Sequence, residues 1–519
     1  MMDTPAWARD AIFYQIFPDR FASSARVPKP GPLEPWEVPP STLGFKGGDL
    51  LGVVEHLDAL RELGVTALYM TPVFASASNH RYHTDDYLTV DPLLGGDAAL
   101  RELLDGAHAR GMRVVLDGVF NHCGRGFWPF HHVAEVGVQS PYRDWFHLDA
   151  EVLEGRRTLR PYPGPADLEE QRWLEAGGMG AGEASRRVLG YEAWWGLPAL
   201  PKLDTNHPPA REFLLRVAEH WLRFGIDGWR LDVAEEIDGG YWAEFRQRCR
   251  AIRPDAYLVA EIWHPKPEWL GGDHFDALMN YPLAEAIMGF AGGPSLDRRA
   301  IAEHHEYSGS IVSRDAASLA AEIARLARLV DPAVNAVQLN LLGSHDAPRL
   351  RTVLGGDLDA VRLAMLLQLT LPGAPCIYYG DEIGMEGHHD PDCRRSYPRV
   401  LLNAEQSAMR AFVRDLAAVR HGSRALRDGD VRFVAAESPA LAMLRTHAGD
   451  AFVVVANAGT ESVRLQLDLP DLSGEPAMVP VAGWEPSQDR AVEWSVPGCL
   501  EVRVPARSGL VARFDGGAG

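Results

Sequence analysis

Four short segments of the chain end in side chains that can move protons or attack carbon. VVLDGVFNH carries Asp117, Asn121 and His122, and GWRLDVA sets Arg230 two residues ahead of Asp232. VAEIW carries Glu261, and LLGSHD carries His345 and Asp346. Positions i and i+2 of a strand share a face, so Arg230 and Asp232 project together. Carboxyl groups held close raise one another's pKa, whereas a cation beside an acid keeps it ionised. The expected division is an ionised Asp232 beside a protonated Glu261, with Asp346 as a third carboxylate. An attacking carboxylate and a proton donor across one bond are the equipment of glycoside hydrolysis. Each residue also has a plainer use, since a strand-end Asp often caps a helix and an Arg–Asp pair can be a buried ion pair. Their order on successive strands favours a site. On residue chemistry alone, a carbohydrate-active centre and another barrel chemistry stay equally open.

Such residues meet only if their strands end at one mouth. Apolar or β-branched runs at 12–17, 65–71, 113–119, 228–233, 257–262, 277–280, 337–342 and 376–379 predict eight strands. Between several of them, apolar residues recur at a 3.6 period, predicting helices over 50–63, 97–110, 210–224, 318–330, 357–369 and 405–420. Asp97 and Asp357 stand where N-caps belong, and Gly64 and Gly111 where helices end. The alternation predicts an α/β fold, a (β/α)8 TIM barrel, with polar groups at its strand ends. An open doubly wound sheet is the other topology it permits. Residues 122–200 break the rhythm, hold Trp194 and Trp195, and are expected to form a small inserted domain after strand 3. Residues 1–121 and 201–425 make the barrel. Residues 426–519 carry strand-like runs with little helix and predict a C-terminal antiparallel β domain.

The chain has 519 residues and a net charge of −20, with 46 % hydrophobic and 24 % charged residues. That composition excludes disordered, collagen-like and coiled-coil classes. The acidic balance and the lack of a basic run argue against a nucleic-acid partner. Five scattered cysteines form no CxxC pair, so neither a zinc site nor a disulfide framework is expected. No signal peptide and no membrane span are expected, which leaves a cytoplasmic setting as the default.

The segments DGVFNH (117–122), GWRLDVAEE (228–236), AEIW (260–263) and GSHD (343–346) resemble the four ordered signature regions of the α-amylase family. LPKLDTN (200–206) resembles a fifth region in the form found in neopullulanases, cyclomaltodextrinases and maltogenic amylases. The segments AIFYQIFPDRF, HRYHTDDYLTVDP (80–92) and DPDCRR (390–395) also fit. The resemblance implies a retaining hydrolase of α-1,4-glucosidic bonds in maltooligosaccharides, cyclodextrins or pullulan, with transglycosylation open. It implies Asp232 as nucleophile, Glu261 as general acid/base and Asp346 as the third acid. Arg230, His122 and His345 would hold the reacting sugar, and Tyr82 would stack beneath it. Asp390 and Arg394 would meet the next sugar on the non-reducing side, and Trp263 would line the leaving-group side. An exo-acting α-glucosidase, or a glucosyl-transferring or isomerising relative, is the alternative within this scaffold. A non-catalytic sugar-binding or partner-binding descendant is a distant third.

The implied partner is an α-glucan oligosaccharide, with oligomeric state undetermined. No cofactor is implied for the chemistry; a structural calcium ion is left open, with Asn121 contributing to it where relatives bind one. This group usually has an N-terminal β domain ahead of AIFYQIFPDRF, a segment that only ten residues precede here. Domain-mediated dimerisation is accordingly not expected. AEE (234–236) and Asp204 depart from the group's commoner ANE and Asn, which bears on substrate choice more than on reaction type.

Overall fold

The eight predicted strands form, seven trimmed within their expected ranges and the eighth starting two residues earlier and ending one earlier than expected. They are β1 (Phe13–Ile16), β2 (Ala67–Met70), β3 (Arg113–Gly118), β4 (Gly228–Leu231), β5 (Tyr257–Ala260), β6 (Ala277–Leu278), β7 (Leu339–Leu341) and β8 (Ala374–Tyr378). All pair in parallel in the order β6-β5-β4-β3-β2-β1-β8-β7. A parallel bridge from Met279 to Leu339 closes the ring. This is a (β/α)8 barrel, seen in a computed structural model that describes residues 3–437, 439–472 and 474–514. Buried on both faces, the strands read as nearly continuous apolar runs, as parallel strands under helices must.

Helices cover the outside where the 3.6 period predicts them. Leu50–Leu63 begins at Asp49, whose side chain accepts from the Gly52 N–H, and ends at Gly64 with φ 96°, a left-handed turn suited to glycine. Asp357 caps Leu358–Thr370 as expected. Asp97 does not cap Gly96–Ala109. Gly95 holds that place with φ 101°, and Asp97 instead accepts from the Val90 N–H, tying the helix to the preceding strand.

Between β3 and β4 the aperiodic stretch contains four α-helices, Trp128–Val136, the single turn Ala150–Leu153, Pro165–Ala176 and Ala181–Leu189. Bridges Phe146–Leu203 and His122–Lys202 fasten this excursion to the LPKLDTN segment. Past the barrel come β9 (Asp430–Glu437), β10 (Ala440–His447), β11 (Asp450–Asn457), β12 (Val463–Asp468), β13 (Pro476–Met478), β14 (Ala491–Val496), β15 (Cys499–Val504) and β16 (Ser508–Phe514). They make two antiparallel sheets, β9-β10-β11-β16-β13 and β12-β15-β14. Strands β13, β14 and β15 were not predicted; β13 has only three residues, and the apolar side chains of β14 are half-buried or exposed rather than set in a buried run.

Candidate active site

The loops leaving the C-terminal ends of the strands enclose a cleft of about 510 Å³. Tyr82, His122, Asp232, Glu261, Trp263, Asp346, Asp390 and Arg394 all line it. The remaining two sequence-predicted residues, Arg230 and His345, are completely buried beneath them. One mouth therefore collects every predicted residue.

Arg230 organises the floor. Its Nη1 donates to Asp117 (2.8 Å to Oδ1) and to Asp232 Oδ1 at 2.9 Å. Its Nη2 lies 2.9 Å from Glu261 Oε2 as an ion pair, off the hydrogen-bond direction. The Val233 N–H completes the hold on Glu261 Oε2 at 3.0 Å. To aim that amide, Val233 takes φ 37° and ψ 51°, a left-handed conformation strained for a β-branched residue at a cost of about 1–3 kcal/mol. Trp263 adds a side-chain hydrogen bond to Glu261.

A second chain of bonds fixes the neighbouring rings. The Gln15 amide meets His345 Nδ1 at 2.9 Å, and His345 Nε2 lies 2.6 Å from the Tyr82 hydroxyl and 3.1 Å from Asp346 Oδ2. Only a protonated Nε2 suits a carboxylate, so Nδ1 accepts from Gln15 and the imidazole is the neutral Nε2–H tautomer. Burial pushes the His345 pKa well down, with Arg394 and Arg230 adding to the effect. Tyr82 in turn donates to Asp117 Oδ2 at 2.8 Å, and its ring stacks on His345 at 5.3 Å and 4°. Arg394 donates to the His345 carbonyl (2.8 Å), pairs with Asp390 (2.9 Å) and reaches Asp346 Oδ1 at 3.3 Å. Trp263 lies flat against Tyr281 at 3.6 Å.

The electrostatics correct one expectation. Arg230 does not serve Asp232 alone, because its guanidinium is shared with Asp117 and Glu261. Burial drives the Asp232 pKa well up; Arg230 opposes this, while Glu261, Asp117 and Asp346 reinforce it. Burial also raises Glu261, again against Arg230, and pushes Asp117 up to about 6. The acids thus titrate as a coupled set rather than as independent groups.

Several supports escaped the sequence reading. Gln15 and Tyr69, which donates to Asp117 Oδ2 at 2.9 Å, sit mid-strand and look like core residues. His304 donates to the Asp346 carbonyl across 3.0 Å. Lys202 of LPKLDTN pairs with Glu236 of the AEE run at 2.8 Å, so two segments that depart from the group's usual form meet at the cleft rim.

A resident calcium ion would need about six to eight oxygen ligands. Among the described residues no group of three or more His, Cys, Asp or Glu is arranged to hold a metal. Asn121 Oδ1 is buried without a partner, but one amide oxygen is no cage. Asp49 and Asp91, buried away from the cleft, are met by the chain's own cations. Lys29 Nζ sits 3.1 Å from Asp49 Oδ2 and donates to the Leu93 carbonyl at 2.6 Å; Arg81 pairs with Asp91 at 2.7 Å. Among the described residues these side chains build no cage that fits the ion.

Comparison with known proteins agrees with this geometry. Residues 15–424 match the family described as alpha amylase, catalytic domain. A cyclomaltodextrinase of Geobacillus thermopakistaniensis (strain MAS1) is 39 % identical over 475 residues, covering 90 % of this chain and 72 % of that protein. Neopullulanase 2 of Thermoactinomyces vulgaris is 41 % identical over 480 residues, covering 91 % and 73 %. The crystal structure of Ttha1563 from Thermus thermophilus superposes with a TM-score of 0.85 at 43 % identity, over 98 % of this chain and all of that one.

Proposed function

The chain belongs to the alpha-amylase catalytic-domain family, and on that premise we propose that it is a retaining hydrolase of α-1,4-glucosidic bonds. Its substrates are maltooligosaccharides, cyclodextrins or pullulan, with transglycosylation when a sugar hydroxyl replaces water. The observation that carries this reading is the single guanidinium of Arg230 lying 2.9 Å from both Asp232 and Glu261, in a cleft that Asp346 also lines. The names of the relatives, cyclomaltodextrinase and neopullulanase, support the substrate class.

In this reading Glu261 Oε1, the oxygen free of Val233 and Arg230, carries the proton to the departing glycosidic oxygen. Asp232 Oδ2 attacks the anomeric carbon from the opposite face, through an oxocarbenium-like transition state. The C–O bond breaks, a β-glycosyl ester forms on Asp232, and the leaving sugar departs as the alcohol. Glu261, now ionised, takes a proton from water, whose oxygen displaces Asp232 and restores the α-configuration. As the ester forms, Asp232 gives up its negative charge and the guanidinium turns to Glu261. A shared Arg230 serves both half-reactions in this way. Asp346, steadied by the buried His345, grips the hydroxyls of the reacting ring, Tyr82 stacks beneath it, and Asp390 with Arg394 meets the sugar beyond. Trp263 and His122 complete the walls.

The working compartment is the cytoplasm. An intracellular maltogenic amylase of Bacillus subtilis is 34 % identical over 83 % of this chain. Moreover, none of the helices described is long and apolar enough to cross a membrane. All five cysteines are free thiols.

Digestion of maltotriose, β-cyclodextrin, pullulan, starch, trehalose and isomaltose, with products followed by chromatography and anomers by NMR, tests the proposal. Maltose or panose released first as the α-anomer is expected. β-Anomeric first product, or glucose alone from every substrate, would overturn it.

A further inference from the structure

Trp194 and Trp195 take no part in the mechanism above, yet both line the cleft. The Trp194 ring stacks on His122 at 5.0 Å and 12°, and on Trp195 at 5.0 Å and 10°. Trp195 is 58 % exposed and held at φ 53°, and it meets the His305 ring edge-on at 5.2 Å and 70°. His305 has a second anchor in Glu306, 3.2 Å away.

The two ends of this row of rings come from distant parts of the barrel. The tryptophans belong to the excursion that leaves β3, whereas His305 lies between β6 and β7. Strands β4 and β5 stand between them in the ring, and these are the strands that Asp232 and Glu261 follow. The row therefore crosses the mouth along the arc that holds both acids. Val233, Glu235 and Glu236 follow β4, within that arc. His80, Tyr82, Asp390 and Arg394 come from loops outside it, after β2 and β8. A sugar chain bound to both groups has to pass this row of rings.

We propose that the Trp195–His305 contact is a bar across the cleft, and that Trp195 thereby decides whether a glucan enters by its end or by its middle. This rests on the hydrolase reading and adds to it a choice between substrates. A short linear oligosaccharide threads beneath a closed bar. A ring has no end to thread and must part the two side chains first. An edge-on aromatic contact is weak enough to open during turnover, so the bar slows rings without forbidding them.

The test compares kcat/KM for β-cyclodextrin with kcat/KM for p-nitrophenyl α-maltoside in the full-length protein. Trp195→Ala is expected to raise the ratio of ring to linear substrate at least five-fold. A second variant fixes the bar shut: Trp195→Cys with His305→Cys, joined by a short bis-maleimide in a Cys499→Ser background. That background suits because Cys123, Cys249, Cys376 and Cys393 are buried and only Cys499 is accessible. Cross-linking is expected to cut ring hydrolysis at least ten-fold relative to the same sample before coupling, while the linear substrate is still turned over. A ratio that falls in Trp195→Ala, or that stays within two-fold in both experiments, would overturn the bar. Failure of the unmodified protein to cleave either substrate would instead overturn the hydrolase reading beneath it.

Discussion

Replacing Tyr82 with Phe removes one oxygen and leaves the stacked ring in place. That hydroxyl donates to the buried Asp117 carboxylate at 2.8 Å, accepts from His345 Nε2 at 2.6 Å and lies 3.4 Å from Arg230 Nη1. A hydrogen bond to a charged group contributes about 1.5–3 kcal/mol and a neutral one about 0.5–1.5 kcal/mol. Relief of the hydroxyl's own burial offsets part of that sum, so a loss of about 2–3 kcal/mol is expected. His345 and Arg230 also lose the link that fixes their spacing. A displacement near 1 Å in a positioned site costs about a hundred-fold in rate. The expected kinetic signature is a kcat lowered about 10- to 100-fold with KM changed less than about three-fold, because the ring face survives. Urea unfolding and initial rates on p-nitrophenyl α-maltoside measure the two effects. Tyr82→Phe with stability within about 0.5 kcal/mol and kcat within about two-fold of the parent would refute the claim that this hydroxyl ties the floor together.

Burial places the Glu261 carboxyl above the ordinary value of 4.5, and its proton is needed for departure of the leaving group. Activity should therefore fall as pH rises through that elevated step, and Glu261→Gln should abolish this alkaline limb. The same variant should lose about 10²–10⁴-fold on maltotriose yet far less on α-maltosyl fluoride, whose leaving group needs no proton. A chelator should leave the melting temperature of the parent unchanged, whereas Lys29→Met should destabilise by about 3 kcal/mol by stranding the fully buried Asp49. A melting temperature that falls in EDTA and recovers with calcium would contradict that.

The barrel was legible because its strands are buried on both faces and so write themselves as apolar runs, and because Leu50–Leu63 and Leu358–Thr370 carry both period and cap. Helix Ala181–Leu189 was hidden since small Ala184 and Ser185 supply half of its buried face. Asp97 misled because an Asp in the first turn of a helix serves a neighbouring strand as readily as its own cap. Within the site, the reacting carboxylates and their order were legible from strand ends. The sharing of Arg230 was not, since Asp117 reaches it from 113 residues away. Gln15 and His345 are 330 residues apart, and the Trp195–His305 contact likewise joins segments whose spacing carries no local pattern. Local chemistry is written in the chain, whereas the division of one cation among three acids is decided by closure of the barrel.

The most direct measurement is the mass of Glu261→Gln after exposure to α-maltosyl fluoride, followed by peptide mapping. Fluoride leaves without help, and the slowed second step should let the ester accumulate. The account predicts one maltosyl group, carried on Asp232. A sugar found on another residue, or steady release of β-maltose with no adduct, would contradict it.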